Sequence, residues 1–319
     1  MRALKVLFAI ALTAAIVAGV IYWLRTRPRE IPAPFVVEKQ LQIYALDVGQ
    51  GDSFLIISPE GKSVLIDAGP SQSGDNVIAA LRRRKIKSLD LAVATHPHAD
   101  HIGGMRSVIE KVAVKNFLDS GQIYASDEYE RLLQTINQRR IKFIEAKKGT
   151  KFDLDSGVTI EAFNPQDRMI TKVRPGGSVE NANSVVLRLS YGGFTMLFTG
   201  DAEFETEALM MKSTALGAPL RAQVLKIGHH GSRHATSGKF LDAVGPEAAI
   251  ISCGDDNRYG HPAQPTLDRL RKAGVKVHRT DLSGEIAIVT DGSKFEIRPA
   301  RQTSQAALWQ GRIELIELP

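Results

Sequence analysis

Three imidazoles and a carboxylate fall within six residues in the run Thr-His-Pro-His-Ala-Asp-His-Ile-Gly-Gly, as His96, His98, Asp100 and His101. Neutral imidazole and carboxylate oxygen are good ligands for zinc, and also for manganese or iron, at roughly 2.0 to 2.2 Å for zinc. A single exposed histidine is ordinarily just a polar residue. Four donors at this spacing can be aimed at one centre, because they follow the apolar run LDLAVAT and precede a helical pattern. Gly103 and Gly104 suit a close backbone approach at the start of that helix.

Further donors stand at the ends of other apolar runs: Asp67 in LIDAG, Asp201 in FTGD, and His229 with His230 in LKIGHHGS. One Asp-Gly or Gly-Asp pair normally marks only a turn. Its recurrence beside strand-like runs points instead to several strand ends converging on a metal. The chemistry such a centre supports is metal-assisted hydrolysis, in which a bound water is acidified toward ~7 and the attacked bond is polarised.

The elements that must position these residues are readable from periodicity. Short alternating runs LQIYALD, SFLIIS and SVLIDAG open the domain near Leu41, with Pro59-Glu60-Gly61 as a turn. A helical pattern from Asp75 to Ile86 leads to the strand ending at His96, and residues 103–112 and 126–140 read as helices. Strands are expected at KNFLDS, IKFIEA, VTIEAF, SVVLRLSYGG and FTMLFTGD. The final third alternates helices near 203–213, 237–244 and 265–273 with strands QVLKIG, EAAIISCG, 275–279 and 284–298. Two halves, each passing from a β-meander to α/β alternation, imply an α/β fold of two packed sheets with helices outside.

Residues 6–24 contain 19 consecutive residues without charge, long enough as a helix to span the hydrocarbon core. Tyr22 and Trp23 sit at its end, Arg2 and Lys5 precede it, and Arg25, Arg27 and Arg29 follow. A cleaved signal peptide is the rival reading, but the run exceeds a usual signal core and no clean A-x-A site follows. The expected organisation is a membrane anchor over 1–29, a Pro-rich linker over 30–40, a catalytic domain over 41–300 and a C-terminal extension over 301–319.

The net charge of +6 does not by itself indicate nucleic acid. Beyond residue 30 there are 36 basic against 34 acidic residues, a net +2, so most of the excess flanks the apolar segment. The cluster Arg82, Arg83, Arg84, Lys85 and Lys87 reads as a solvated face in preference to a phosphate track. Cys253, the single cysteine, excludes an intrachain disulfide framework and a Cys-rich zinc module, and its apolar setting suggests a buried inert thiol.

The phrases LDVGQGDS, LIDAG, THPHADHIGG, NANSVVLRL, LFTGD, LKIGHHGS and RYGHP resemble the metallo-β-lactamase superfamily, and in particular the hydrolase domain of the ComEC competence family. The resemblance runs from about residue 43 to about residue 290. It implies an αββα sandwich, preceded here by one N-terminal transmembrane helix, with one or two divalent metals at one edge of the sheets. It does not extend to the polytopic channel of that family, so DNA uptake through this chain itself is not expected.

Carried across position by position, the resemblance gives His96 and His98 to one metal, Asp100 and His101 to a second, and Asp201 as the bridge. Asp67 would hold the histidine loop in place. One of His229 and His230 would close the second site and the other would assist protonation. Asp100, His230 and Lys226 are the expected catalytic side chains. Asp47, Gly49, Gly51, Asp52 and Ser53 form a shaped loop beside the site. Asn181, Asn183 and Ser184 occupy the region where related two-zinc enzymes often place a third histidine, so the first site would be labile or completed by substrate. His98 departs from the aspartate usual in the ComEC pattern; the added imidazole favours Zn2+, with Mn2+ as the other candidate. His261 and Lys226 are open to either a substrate-facing or a structural role, while His234 and His278 match no motif.

The resemblance favours a phosphodiester substrate such as single-stranded DNA, and an extracytoplasmic domain on a single-pass anchor. A carboxylic ester, lactone or thioester hydrolase is the competing enzyme reading. A membrane-tethered DNA-binding or scaffold protein is the non-enzymatic one, with little help from a near-neutral domain.

Overall fold

The computed structural model describes residues 40–214, 220–255 and 257–312. The expected anchor, and all of the linker except Gln40, lie outside these residues; among the described residues no helix is long and apolar enough to cross a membrane.

Two sheets form the centre of the fold. The first orders its eight strands as Phe295–Pro299, Ile286–Thr290, Leu41–Ala45, Phe54–Ile57, Ser63–Ile66, Leu91–Ala94, Asn116–Asp119 and Lys142–Glu145. The second orders seven as Lys276–Arg279, Ala248–Ile251, Val224–Lys226, Phe194–Phe198, Val186–Tyr191, Thr159–Asn164 and Lys151–Asp153. Successive side chains of a strand point to opposite faces. Thus Ile43, Val64, Ile66 and Val93 of the first sheet pack between the sheets with Leu187, Met196, Phe198 and Ile250 of the second. Their neighbours Tyr44, Leu65 and Ala92 face an outer layer that includes Val77, Leu81 and Leu132. Leu197, Leu225 and Ile251 face another, with Phe240, Leu241 and Leu267. This is the expected four-layer arrangement of helices, two sheets and helices. Phe54 and Phe198 meet edge to face across the middle, ring centres 5.3 Å apart.

The helices are close to the sequence pattern: Gly74–Arg83, Met105–Lys111, Asp127–Gln138, Phe204–Thr214, Gly238–Val244 and Gln264–Lys272. Segment 284–298 differs from a single strand, because the turn around Asp291 and Gly292 folds it into a hairpin. The first strand of that hairpin then pairs antiparallel with Leu41–Ala45, closing the sheet between distant parts of the chain. The basic cluster is also less solvated than expected: Arg84 is nearly buried, lies over the Tyr44 ring and pairs with Glu285. Cys253 is buried, and burial pushes its thiol well above its ordinary range.

The described part of the C-terminal extension packs onto the domain. Arg279, almost fully buried, forks onto Asp281 and also donates to the Gln310 carbonyl at 2.6 Å. Arg312 joins the same carboxylate at 2.8 Å, and its backbone N–H donates to the Pro262 carbonyl at 3.0 Å. The extension thereby braces the loop that carries His261.

Parallel pairing puts many strand ends at one end of the molecule. Ser63–Ile66, Leu91–Ala94 and Asn116–Asp119 run parallel in one sheet, and Phe194–Phe198, Val224–Lys226 and Ala248–Ile251 in the other. Asp119 is fully buried at this end. Its Oδ1 accepts from the Gly121 N–H at 2.7 Å and the Tyr129 hydroxyl at 2.9 Å, while Oδ2 has no partner. Burial pushes its carboxyl up to about 6, against the lowering effect of those donors. An acid raised in the folded state is protonated there while ionised in the unfolded chain, so its stabilising contribution is complete below about pH 4 and is lost as pH rises to 6. Asp119→Asn will flatten this slope. Urea unfolding from pH 4.5 to 7 should show the variant gaining on wild type with rising pH, by about 2 to 3 kcal/mol at most. A stability difference that stays constant over this range would contradict the assignment.

Candidate metal centre

His96 begins the turn after Leu91–Ala94, and the helical turn Ala99–Ile102 carries Asp100 and His101 back toward it. Asp67 reaches the same turn from the neighbouring strand with a left-handed backbone, φ 57°. Its Oδ1 accepts from the Thr95 N–H at 2.8 Å, and its Oδ2 takes the Thr95 hydroxyl at 2.7 Å and stands 2.8 Å from His101 Nδ1. A carboxylate on Nδ1 fixes the imidazole tautomer and directs Nε2 away from it. His101 Nε2 accordingly stands 3.3 Å from His230 Nε2 and 3.3 Å from Asp201 Oδ1. His230 is held in the same manner, with Nδ1 2.9 Å from the Ser252 carbonyl and Nε2 3.2 Å from Asp100 Oδ2. Asp201 Oδ2 lies 3.5 Å from His230 Nε2.

A second group adjoins the first. His96 Nε2 is 3.0 Å from His98 Nδ1 and 3.8 Å from Asp201 Oδ2. Asp201 therefore faces both the His96–His98 pair and the Asp100–His101–His230 group. Its backbone N–H is fixed by the Ser184 hydroxyl at 3.2 Å. The buried Oδ1 of Asp201 accepts no hydrogen bond, which is costly unless a cation completes it. Convergent imidazole nitrogens around an unsatisfied carboxylate oxygen fit a divalent transition metal.

The electrostatics lead to the same conclusion. Burial drives the imidazolium of His101 down, but Asp201, Asp67 and Asp100 outweigh it and hold this group well above its usual value. His230, also opposed by burial, is carried up to about 10 by Asp201 and Asp52. Protons here neutralise carboxylates that a metal would otherwise neutralise. His96 goes the other way: burial and the neighbouring His101 keep it neutral and ready to act as a ligand.

Asp52 lies near this group, but on the opposite side of the rings. Its Oδ1 is 3.4 Å from His230 Nδ1 and its Oδ2 3.8 Å from His101 Nδ1, whereas the free Nε2 atoms face Asp100 and Asp201. Asp52 pairs with Lys226, whose ammonium also donates to the Gly200 carbonyl at 2.6 Å. Lys226 is almost completely buried, so the substrate-facing alternative is corrected: its charge acts from beneath the carboxylates. Gly51 lets the backbone before Asp52 pass Asp100, since a Cβ there would lie 2.1 Å from the Asp100 carbonyl oxygen.

His229 and His230 both adopt left-handed backbone conformations, φ 44° and 52°, and their rings diverge, 6.0 Å apart at 68°. His230 turns inward; His229 stays partly open, with Nδ1 2.8 Å from Glu203 Oε1 and Nε2 3.8 Å from Asp201 Oδ2. Arg174 forks onto Glu203 from outside. Neither Glu203 nor Arg174 is singled out by spacing; only the position of Glu203 two residues after Asp201 offers a signal.

The three candidate residues of the NANS segment, Asn181, Asn183 and Ser184, separate in space. Asn181 faces His229 at 3.4 Å, and its buried Oδ1 is unpartnered. Asn183 turns away to pin the Ile170 backbone, and Ser184 holds Asp201. Asp47 lies near Arg301 and accepts from the Gly49 N–H at 3.4 Å within its own loop. His261 is buried beside His229, ring centres 5.1 Å apart. His234 lies on the cleft wall, whereas His278 is outside it. The cleft measures about 580 Å³, and His98, Asp100, His229 and the largely buried His261 line its wall.

Replacing Asp67 by Asn would keep the Thr95 backbone N–H contact on Oδ1 but put a donor amide where Oδ2 now accepts. The Thr95 hydroxyl would become an acceptor and His101 Nδ1 would meet an N–H, which favours the tautomer with its proton on Nε2. Metal affinity measured by calorimetry should fall about 10- to 100-fold. An unchanged affinity would remove Asp67 from this role.

Known proteins share much of this chain. It is 31% identical over 262 residues to ComE operon protein 3 of Bacillus subtilis (strain 168), covering 77% of this chain and 32% of that protein. It is 32% identical over 265 residues to Competence protein ComA of Neisseria gonorrhoeae, covering 82% and 33%. This chain spans about a third of the length of these ComEC-family relatives. A match of 23% over 193 residues to Endoribonuclease ysh1 of Emericella nidulans covers 55% of this chain and 21% of that protein. The model of the metallo-β-lactamase superfamily matches residues 46–255, and the chain belongs to that superfamily as a metal-dependent hydrolase.

Proposed function

We propose that the chain is a phosphodiesterase, acting on nucleic acid, with a two-metal centre of Zn2+ or, as the alternative, Mn2+. The observation that carries this reading is the placement of Asp201 between two ligand groups at the base of an open cleft. When bound, such a metal pair supplies Lewis acidity toward the phosphoryl oxygens and a water acidic enough to attack at neutral pH.

The chain's own residues supply the rest. His96, His98, Asp100, His101 and His230 would hold the cations, with Asp201 placed between the two groups. Asn181 Oδ1 is a buried acceptor without a partner, on a side chain that faces His229. His229, held at Nδ1 by Glu203, presents Nε2 to the centre and gives a proton to the departing oxygen. Arg174 neutralises Glu203 on the cleft wall, so the carboxylate that holds His229 Nδ1 does not repel an anionic substrate. The relative named an endoribonuclease cleaves phosphodiesters, which favours this substrate class over carboxylic esters, lactones and thioesters.

The full chain, loaded separately with zinc and manganese, should hydrolyse single-stranded DNA or RNA in preference to ester and thioester panels. Asp201→Ala combined with His96→Ala should lower turnover by several orders of magnitude. Retained turnover would place catalysis elsewhere, while ester hydrolysis without nucleic-acid cleavage would establish the competing enzyme. Salt-sensitive DNA binding that survives this double substitution, with no turnover of any substrate, would favour a scaffold.

Residues 6–24 retain the composition of a spanning segment. We therefore also propose a single-pass anchor with the catalytic domain outside the cytoplasm. Protease added to intact cells should degrade the domain; protection until lysis would reverse this orientation.

A further inference from the structure

We infer that Tyr259 is a stacking platform for a nucleobase beside the scissile phosphodiester, with His261 Nδ1 as the polar contact next to it. The inference rests on the phosphodiesterase reading and adds what the cleft recognises.

Four large apolar or aromatic side chains are markedly exposed among the described residues: Ile123, Phe143, Leu209 and Tyr259. Only Tyr259 of these lines the cleft, and 48% of its surface is exposed. An aromatic ring in water beside a hydrolytic centre is a ready surface for another flat ring, and stacking accepts any base because every base has a π-face.

The ring is seated on a held turn. It stacks on His261, centres 5.9 Å apart and planes 24° from parallel, and the Arg258 guanidinium lies 5.3 Å from its centroid. Buried Asn257 ties the turn together, donating to the Gly254 and His261 carbonyls at 2.6 Å each and accepting from the His261 N–H at 2.9 Å. The Arg312 backbone secures the next residue, Pro262. A platform fixed before binding loses little freedom when a ligand arrives.

His261 supplies an independent observation. It is more than nine-tenths buried, it lines the cleft, and its Nδ1 has no hydrogen-bond partner. A buried polar atom left unpaired is costly, and a ligand group placed there would relieve it. Because the His261 ring lies beside Tyr259, the proton donor His229 and the ligand His230, with centres 5.9, 5.1 and 6.3 Å away, a base on Tyr259 stands next to the hydrolytic groups. The geometry favours single strands, since paired bases are already stacked and cannot reach the ring.

The test compares two single-stranded oligonucleotides of equal length, one with ordinary bases and one with abasic tetrahydrofuran residues, using the metal-loaded full chain. Wild type should show higher kcat/KM on the base-bearing strand. In Tyr259→Ala and Tyr259→Leu this preference should shrink about 5- to 150-fold, while Tyr259→Phe retains it. An undiminished preference, or equal loss on both strands, would overturn the platform. Wild type that cleaves neither strand would overturn the phosphodiesterase reading and this inference together; cleavage of both without preference would overturn the platform alone.

Discussion

The carboxylates of Asp52, Asp67, Asp100 and Asp201 are gathered at one end of the sandwich, three of them nearly or wholly removed from water, and the surroundings answer to that negative charge. Ionised carboxylates are not buried without compensation. Lys226 supplies one permanent cation, and His101 and His230 supply protonated imidazoles when nothing else neutralises the group. A divalent metal would replace those protons and free the same Nε2 atoms as ligands. The site is therefore a charge imbalance built into the fold, and a divalent cation bound there would relieve it.

Holding such a cluster together demands a rigid frame, and the two sheets provide it. Parallel strands deliver Asp67, His96, Asp201 and His230 to one end from both sheets, so no single loop determines their separation. The cost appears in the backbone, where Asp67, His229 and His230 all take left-handed conformations, uncommon for any residue with a side chain though Asp and His adopt them more readily than most. Gly51 is required on the adjoining turn, because any side chain would run into the Asp100 carbonyl.

The layers and the ligand cluster are legible in the sequence because both depend on short-range regularities. Alternation of period two separates Ile43 from Tyr44 and Val64 from Leu65, and the histidines of the 96–101 run are neighbours along the chain. The return of Ile286–Thr290 to Leu41–Ala45 is not legible, since both segments carry the same alternation as many other strands. Nor is the hairpin that splits 284–298, where the turn at Gly292 interrupts an otherwise continuous β pattern. Glu203, Arg174 and Tyr259 acquire their positions only through folded loops. Lys226 shows the converse: adjacency to the histidine pair suggests access to substrate, but strand alternation points it beneath the site.

The pair His229–His230 shows why spacing alone leaves ligand assignment open. In an extended strand, adjacent side chains would take opposite faces, and in a helix they would lie about 100° apart. Two successive left-handed residues follow neither rule, and they divide the imidazoles between an enclosed position and an open one. The enclosed ring is fixed by the Ser252 carbonyl and set among carboxylates; the open ring is fixed by Glu203 and faces Asn181, Asp201 and His261. This separates two functions that a single histidine would have to combine. The interior can hold charge tightly without closing the cleft, and the cleft wall can vary its contacts to substrate without loosening the charge beneath it.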